Sequence, residues 1–246
     1  MERKITVCVQ KGGQRDMAEA FAERIGAVLT EQPGEELTVL FDASGVSLAG
    51  YGLTYQGNFE TMLHRVTCGR LQHEMLVRAA KKNGDGLKGI DATAGMGEDA
   101  FLLAAYGYEM VLYEQNPVVA ELLKDALRRA RKHPQLKEIA ERMTLIEEDR
   151  VDGLKNSRGE NDLIYLDPMF PGRQKSGLIN KKLQLIQKLE PPCSKEEELF
   201  DAAIQAVPSK IVVKRPLKSP FLAGRKPTYE LKGKAIRYDC YALGGK

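Results

Sequence analysis

From residue 87 onward, short apolar runs alternate with longer amphipathic segments. The apolar runs predict buried strands at Leu87–Asp91, Met110–Glu114, Met143–Glu147, Leu163–Asp167 and Ile211–Lys214. Helical spacing separates the first three runs and returns at Glu196–Ala206. Strands that alternate with helices in this way favour a parallel sheet with right-handed crossovers.

The end of the chain has a different pattern. Thr228–Leu231 and Ala235–Leu243 both have the composition of strands, and Lys232-Gly233-Lys234 between them supplies a tight turn. Two strands joined by so short a turn run antiparallel. We therefore expect a hairpin at one edge of the parallel sheet.

A separate α/β pattern precedes the alternating region. It predicts a strand, a helix and a second strand at Ile5–Val9, Arg15–Leu29 and Leu37–Asp42. Glycine-punctuated residues follow and suggest hairpins or an irregular loop, after which Phe59–Lys82 has mostly helical spacing. We expect a small amino-terminal α/β lobe with its connector at residues 1–72 and the main domain at residues 73–246.

The composition is that of a globular protein, since 246 residues with 43% hydrophobic content can bury a substantial core. The four cysteines and three histidines have no ligand spacing, so the sequence implies no metal site. No apolar run approaches the roughly eighteen residues of a membrane span, and the amino terminus does not resemble a secretory signal. We expect a soluble, cytoplasmic protein.

Positive charge is unevenly distributed, although the net charge is only +3. The segment from Pro208 to Arg237 is rich in Lys and Arg, and Glu230 is its one acidic residue. The mostly helical connector, Phe59–Lys82, adds basic side chains at Arg65, Arg70, Arg78, Lys81 and Lys82. Such segments can attract the phosphates of a nucleic acid, and they are also typical of an ordinary solvated surface.

The stretch Gly89-Ile-Asp-Ala-Thr-Ala-Gly-Met-Gly-Glu-Asp-Ala100 predicts a strand that enters a helix through a glycine turn. At the carboxyl edge of a parallel sheet, such a turn cradles a ligand. We therefore expect Asp91, Gly95 and Gly97 to bind a cofactor. The spacing from Gly95 to Ala100 also suits a nicotinamide dinucleotide, so the turn alone fits both a dehydrogenase and a methyltransferase.

Carboxylates also follow the second and third strands. Glu114 stands about where the ribose-binding carboxylate of a dinucleotide or adenosyl cofactor is expected, just before a proline that suits a helix start. After the third strand, Glu147-Glu148-Asp149-Arg150 is either part of an adenine site or a generic acidic loop.

The end of the fourth strand favours methyl transfer over dehydrogenation. There, Asp167-Pro168-Met169-Phe170-Pro171 combines a carboxylate, a proline carbonyl and an aromatic ring. Hydrogen bonds from an exocyclic amine to Asp167 and to the Pro168 carbonyl would localise the nitrogen lone pair for attack. Phe170 is predicted to stack on the extruded base. A dehydrogenase has no obvious use for this combination.

Basic residues follow two of these strand ends. Arg173 and Lys175 come after the Asp167 segment, and Lys214 and Arg215 close the fifth strand at the same sheet edge. We expect them to hold RNA phosphates on both sides of a flipped base. The alternative is that Lys214 or Arg215 folds back onto a carboxylate such as Asp167 and organises the site.

Five segments together resemble the RsmJ-type methyltransferases: DATAGMGEDAF, YEQNPVVA, YLDPMFP, QKSGLI and VVKRP. That family transfers a methyl group from S-adenosylmethionine to a guanine N2 in bacterial 16S ribosomal RNA. The resemblance implies a Rossmann-like class I methyltransferase fold. It also implies cofactor contacts at Glu98, Asp99, Glu114, Gln115, Asp149, Arg150 and Asp167.

The partner implied by this resemblance is 16S ribosomal RNA or an assembling small ribosomal subunit. The Asp167 motif by itself indicates only a planar exocyclic amine, so adenine N6 and a protein amide stay open as acceptors. A nicotinamide-dependent oxidoreductase and a non-catalytic RNA-binding module are the competing functional classes. Methyl transfer of this kind needs neither a metal nor a covalent enzyme intermediate.

Overall fold

The computed structural model describes residues 5–34, 36–67, 69–157, 159, 161–168, 185–186, 189 and 195–244. The chain forms two compact units. The first contains Met1–Asn58, Asn116–Arg129 and Gly172–Pro191, and the second contains Phe59–Gln115, Ala130–Pro171 and Pro192–Lys246. The domain boundary between residues 72 and 73 stays a prediction.

The first unit is built on a five-stranded sheet. Its strands are β1 (Thr6–Val9), β2 (Val28–Thr30), β3 (Thr38–Asp42), β4 (Gly45–Gly50) and β5 (Leu53–Tyr55), and its helices are α1 (Arg15–Ile25) and all but the last residue of α5 (Pro117–Ala130). The strand order is β2-β1-β3-β4-β5. β1 pairs in parallel with β2 and β3, whereas β3, β4 and β5 form successive antiparallel pairs. The predicted α/β lobe with hairpins is therefore confirmed.

The predicted helix over Arg15–Leu29 is too long. α1 ends at Ile25, because Gly26 adopts a left-handed conformation (φ 64°) and its N–H bonds back to the helix carbonyls. This is a common way for glycine to end a helix. Val28, which lies within the predicted helix, begins β2 and is 55% exposed.

α5 begins where the proline predicts. The Asn116 side chain caps it by accepting the N–H groups of Val118 and Val119. Within the first unit, Asp125 of α5 is buried and lies against Gly45. A Cβ at Gly45 would come within 2.4 Å of the carboxylate, so that position has no room for a side chain.

The second unit contains a seven-stranded sheet. Its strands are β6 (Leu87–Asp91), β7 (Tyr108–Tyr113), β8 (Met143–Ile146), β9 (Leu163–Leu166), β10 (Lys210–Pro216), β11 (Tyr229–Lys232) and β12 (Ile236–Ala242). Its α-helices are α2 (Leu63–Val66), α3 (Met75–Ala80), α4 (Glu98–Tyr106), α6 (Lys137–Glu141), α7 (Arg150–Asn156) and α8 (Glu196–Gln205). Short 3₁₀ helices lie at Phe59–Met62, Leu71–His73 and Leu222–Gly224.

The strand order in this sheet is β11-β12-β10-β9-β6-β7-β8. The five strands from β6 to β10 are parallel, and β12 pairs antiparallel with both β10 and β11. The parallel sheet and its edge hairpin are thus confirmed. After β8 the chain crosses to the other side of β6, so the topological switch point lies between β6 and β9, where such sheets bind ligands.

Helices cover this sheet with apolar side chains. Ile90, Ile164 and Val213 belong to one buried cluster with Leu199 and Phe200 of α8. Near-continuous apolar strands are expected for a parallel sheet that is buried on both faces. The polar residues just beyond the strand ends are therefore the ones available for chemistry.

Candidate active site

Three strand ends meet at the switch point. Asp91 at the end of β6 pairs in register with Tyr165 of β9, and Leu166 of β9 pairs with Val213 of β10. Because these pairings are parallel, the next residues of β9 and β10, Asp167 and Lys214, emerge side by side at the carboxyl edge. Asp91 is 1% exposed.

The glycine turn follows β6 as predicted. Gly95 and Gly97 both have positive φ, 51° and 73°, and Gly97 is the residue from which α4 starts. A Cβ at Gly95 would meet only the Thr93 carbonyl, at 4.0 Å. The space beside the turn is therefore open to a ligand.

Glu114 holds the glycine turn from the neighbouring strand. It lies just beyond β7, it is 5% exposed, and its Oε2 accepts the Gly95 N–H at 2.9 Å. A buried carboxylate is thus fixed beside the open turn. Carboxylate oxygens at this place can accept hydrogen bonds from the hydroxyls of a ribose.

Lys214 joins two carboxylates at the switch point. Its Nζ lies 2.7 Å from Asp99 Oδ2 and 2.9 Å from Asp167 Oδ2. The Tyr165 hydroxyl donates to the same Asp99 oxygen at 2.6 Å. Asp99, in the first turn of α4, is thereby tied to β9 and β10.

Burial and charge oppose each other in this cluster. Burial raises the pKa of Asp91 to about 7, and the nearby carboxylates of Asp99 and Asp167 add to the effect. Burial also raises the pKa of Asp167, while Lys214 acts to lower it. For Lys214 itself, burial disfavours the charge, but Asp99 and Asp167 outweigh that cost and raise the pKa. Lys214 therefore stabilises the negative charges of Asp99 and Asp167.

Thr93 is a residue that sequence reasoning missed. Its Oγ1 accepts the backbone N–H of Asp167 at 2.6 Å and donates to Asp91 at 3.3 Å. Its own N–H donates to Asp91 at 3.0 Å. The sequence does carry a signal for this role: Thr93 is a hydroxyl residue between Asp91 and the glycines. Such side chains often form hydrogen bonds with nearby backbone groups.

The residues after β7 and β8 also come together. Asp149 caps α7 by accepting the Val151 and Asp152 N–H groups. With the Gln115 amide oriented to satisfy both of its polar atoms, its nitrogen donates to Asp149 at 2.8 Å and its oxygen accepts from Arg150 at 3.2 Å. The Asp149 side chain is therefore already bound to its own helix, and its role as a cofactor contact stays a prediction. The same holds for Glu98, which is half-buried.

The structure corrects the predicted RNA contacts at the end of β10. Arg215 points to the opposite face of the strand from Lys214, because successive strand residues alternate, and it is 1% exposed. Its guanidinium donates to the Pro220 carbonyl and pairs with Glu196. A side chain buried in this way cannot clamp phosphates. For Lys214, the alternative that the sequence left open applies, since the lysine folds back onto Asp167.

The remaining predicted site residues follow Asp167 in the chain. Phe170, Arg173 and Lys175 lie outside the described residues. Pro168, directly after Asp167, is buried.

Within the ranges given above, no three His, Cys, Asp or Glu side chains form a cluster that could hold a metal ion. Over the same ranges, no helix combines the length and apolar character needed to cross a membrane.

Comparisons with known proteins agree with this geometry. A family model described as "Putative SAM-dependent methyltransferase" matches residues 53–243. The chain is 35% identical to the ribosomal RNA small subunit methyltransferase J of Pseudomonas aeruginosa strain LESB58, with 98% of this chain and 97% of that protein covered. It is 34% identical to the protein of the same name from Thioalkalivibrio sulfidiphilus, with 99% of each covered.

A solved structure is similar over almost the whole chain. The crystal structure of a SAM-dependent methyltransferase from Neisseria gonorrhoeae superimposes with a TM-score of 0.77 and 27% identity, covering 98% of this chain and 97% of that one. The predicted Rossmann-like class I fold and the predicted family are confirmed. The chain belongs to the ribosomal RNA small subunit methyltransferase J family of S-adenosylmethionine-dependent methyltransferases.

Proposed function

We propose that this protein transfers a methyl group from S-adenosylmethionine to the exocyclic N2 amine of a guanosine in 16S ribosomal RNA, in the cytoplasm. The observation that carries the proposal is the Asp167 carboxylate, held by Lys214 at the switch point next to an open glycine turn. The names of the relatives support ribosomal RNA of the small subunit as the substrate.

The residues at the switch point fit S-adenosylmethionine. Asp91 supplies a buried carboxylate for the ammonium of the methionine moiety, and the turn at Gly95 leaves open space beside it. Glu114 offers a buried carboxylate for the ribose hydroxyls. When bound, this cofactor supplies an electrophilic methyl group on a sulfonium.

Asp167 orients the acceptor amine in our proposal. Its carboxylate accepts one N–H of the amine, and the carbonyl of Pro168 accepts the other. These hydrogen bonds draw the nitrogen lone pair out of conjugation with the ring and aim it along the line of displacement. Catalysis then consists mostly of positioning, which can supply several kcal/mol of the barrier reduction. Lys214 favours the ionised form of Asp167 that this role needs.

Guanine N2 is the finer part of the proposal. The names of the relatives specify the RNA and not the base. Asp167 and Pro168 suit any planar exocyclic amine, so adenine N6 or a protein amide is the alternative acceptor. The residues at the switch point do not by themselves choose among these amines, and the preference for guanine rests on resemblance to the family.

The direct test is to incubate the protein with methyl-labelled S-adenosylmethionine and small subunits from cells that lack the gene. Nucleoside mass spectrometry should then detect N2-methylguanosine at one position of 16S ribosomal RNA. Free nucleotide and ribosomal protein fractions are the controls and should stay unlabelled. Label in N6-methyladenosine or in a protein would refute the guanine assignment while retaining methyl transfer.

A further inference from the structure

A basic groove lies at the end of α4 away from the glycine turn. It has a volume of about 670 Å³ and is lined by Gln72, His73, Val77, Arg78, Lys81 and Tyr106. We propose that this groove binds the sugar-phosphate backbone of the RNA substrate, at a point separate from the methylated base. The proposal rests on the proposed function, because it takes RNA as the substrate.

The structure separates the basic residues of the connector into two groups. Arg65 pairs with Glu74 at 2.7 Å, and Lys82 forms an ion pair with Asp162. Arg78 and Lys81, by contrast, are exposed, and their side chains make no ion pair or hydrogen bond with any residue that the structure describes. Among the residues that the structure describes, none that lines the groove carries a carboxylate side chain. Two cations therefore face an opening that lacks a neutralising anion.

The backbone around these cations is fixed. Lys210 of β10 donates to the carbonyls of Ala79 and Lys81, both at 3.1 Å. The Tyr108 hydroxyl donates to the Ala80 carbonyl at 2.7 Å, and the Tyr106 hydroxyl donates to the Lys82 carbonyl at 3.3 Å. The last carbonyls of α3, which a helix leaves without internal partners, are thus satisfied from neighbouring elements. The groove is preformed, which lowers the entropic cost of binding a ligand.

The shape and chemistry of the groove suit a nucleotide chain. Val77 is buried and Tyr106 is half-buried, so an apolar floor lies beside the two cations. Phosphates need cations, and a ribose or an unstacked base can lie on an aromatic or apolar surface. An acidic protein segment would use the cations but has less need of the aromatic ring. The combination favours RNA.

The position of the groove explains why a second contact is useful. Asp99 and Tyr106 stand near opposite ends of α4, seven residues apart, which is about 10 Å along a helix axis at ~1.5 Å per residue. Phosphates along one strand of a duplex are about 3.4 Å apart along the axis. A strand whose base enters the site beside Asp167 can therefore reach the groove within a few nucleotides. The groove would hold the flanking RNA while the base is extruded.

The test is the salt dependence of RNA binding by an Arg78→Ala/Lys81→Ala double variant. Loss of two phosphate contacts should reduce the slope of log affinity against log salt by about 1.4 to 1.8 and weaken binding to undermethylated small subunits by at least about tenfold. S-adenosylmethionine affinity and the rate at saturating RNA should stay at wild-type values. The charge-conserving variant Arg78→Lys/Lys81→Arg should retain most of the slope.

The matched control is Lys124→Ala/Lys132→Ala, which removes the same charge from two exposed lysines outside the groove and should leave the slope nearly unchanged. A wild-type protein that neither bound nor methylated RNA would refute the proposed function itself. A wild-type protein active on RNA, together with a double variant of unchanged slope, would overturn the groove proposal alone. If the double variant bound protein-containing particles more weakly but naked RNA with unchanged affinity, the groove would bind a protein instead of RNA. That result would also overturn the groove proposal.

Discussion

Lys214 contacts two carboxylates, and these contacts set the charge of the candidate site. The Asp167 side chain is 35% exposed, so solvent stabilises part of its charge, and Lys214 stabilises it further from 2.9 Å. Asp99 on the other side of the lysine is a second negative charge. If Lys214 lost its charge, Asp99 would repel the ionised form of Asp167 without the nearest opposing charge.

This geometry predicts a pH effect for Lys214→Met. The pKa of Asp167 is already raised by burial, and Lys214 lowers it, so removing the lysine raises the pKa further. Because the proposed role needs ionised Asp167, the acidic limb of the rate profile should move to higher pH. The measurement is the rate at saturating RNA and cofactor between pH 5 and pH 9.

The control for this prediction is Lys214→Arg, which keeps a cation within reach of Asp99 and Asp167 and should keep the wild-type profile. A general loss of structure would lower the rate at every pH without moving the limb. If Lys214→Met lowered the rate equally at pH 6 and pH 8, the lysine would not act through the ionisation of Asp167.

At the scale of elements, the glycine turn and the end of β7 are linked beside the proposed cofactor site. The Gly95 N–H bonds to Glu114, so the carboxylate that is proposed to bind the ribose also fixes the turn. Replacing it therefore removes two contributions at once. Removal of a hydrogen-bonded charge from a buried site typically costs about 1.5 to 3 kcal/mol.

We therefore expect Glu114→Ala to weaken S-adenosylmethionine binding by about 2 kcal/mol, or roughly thirtyfold. Titration calorimetry measures this directly. Glu109→Ala is the matched control, because Glu109 lies on the same strand but is exposed, and it should bind the cofactor with wild-type affinity. If the two variants bound S-adenosylmethionine with equal affinity, Glu114 would not be a cofactor contact.

The strands were predictable because their apolar runs are short and bounded by polar residues, and the structure confirms all five parallel strands and the hairpin. Other features needed information that periodicity does not carry. The apolar face of α1 continues in sequence to Val28, so only the conformation of Gly26 reveals the true end of the helix. Arg215 was assigned to RNA from its charge, whereas the alternation of residues along β10 turns it inward.

The site was predictable to the extent that it follows strand ends. Asp91, Asp167 and Lys214 meet because parallel strands end at one edge, which the sequence pattern indicates. The bridge from Lys214 to Asp99 depends on how α4 lies against β10, and this is a matter of tertiary packing. Thr93 was overlooked because the neighbouring glycines gave the stronger signal.

At the scale of the whole molecule, net charge is a poor guide to the nucleic-acid surface. Much of the basic segment near the end of the chain is engaged in hydrogen bonds or ion pairs within the protein. Lys210 bonds to helix carbonyls, and Arg237 is 3% exposed and pairs with Asp239 at 2.7 Å. The exposed pair Arg78 and Lys81 comes instead from the connector, for which the sequence favoured simple solvation slightly over RNA contact.

The second unit thus combines three functions in our account. The switch point holds the cofactor, the end of β9 orients the acceptor amine, and the groove beside α3 holds flanking RNA. All three depend on methyl transfer taking place beside Asp167. A variant at that residue therefore tests the account most directly.

The decisive measurement is the single-turnover rate of methyl transfer by Asp167→Ala with small subunits and cofactor both saturating. We predict a loss of at least about a hundredfold, the usual scale for removing a positioned catalytic group. Asp167→Asn should retain more activity, because its amide oxygen still accepts one hydrogen bond, and thermal unfolding should show both variants folded. Wild-type rates for both folded variants would contradict the account and make Asp167 a structural residue.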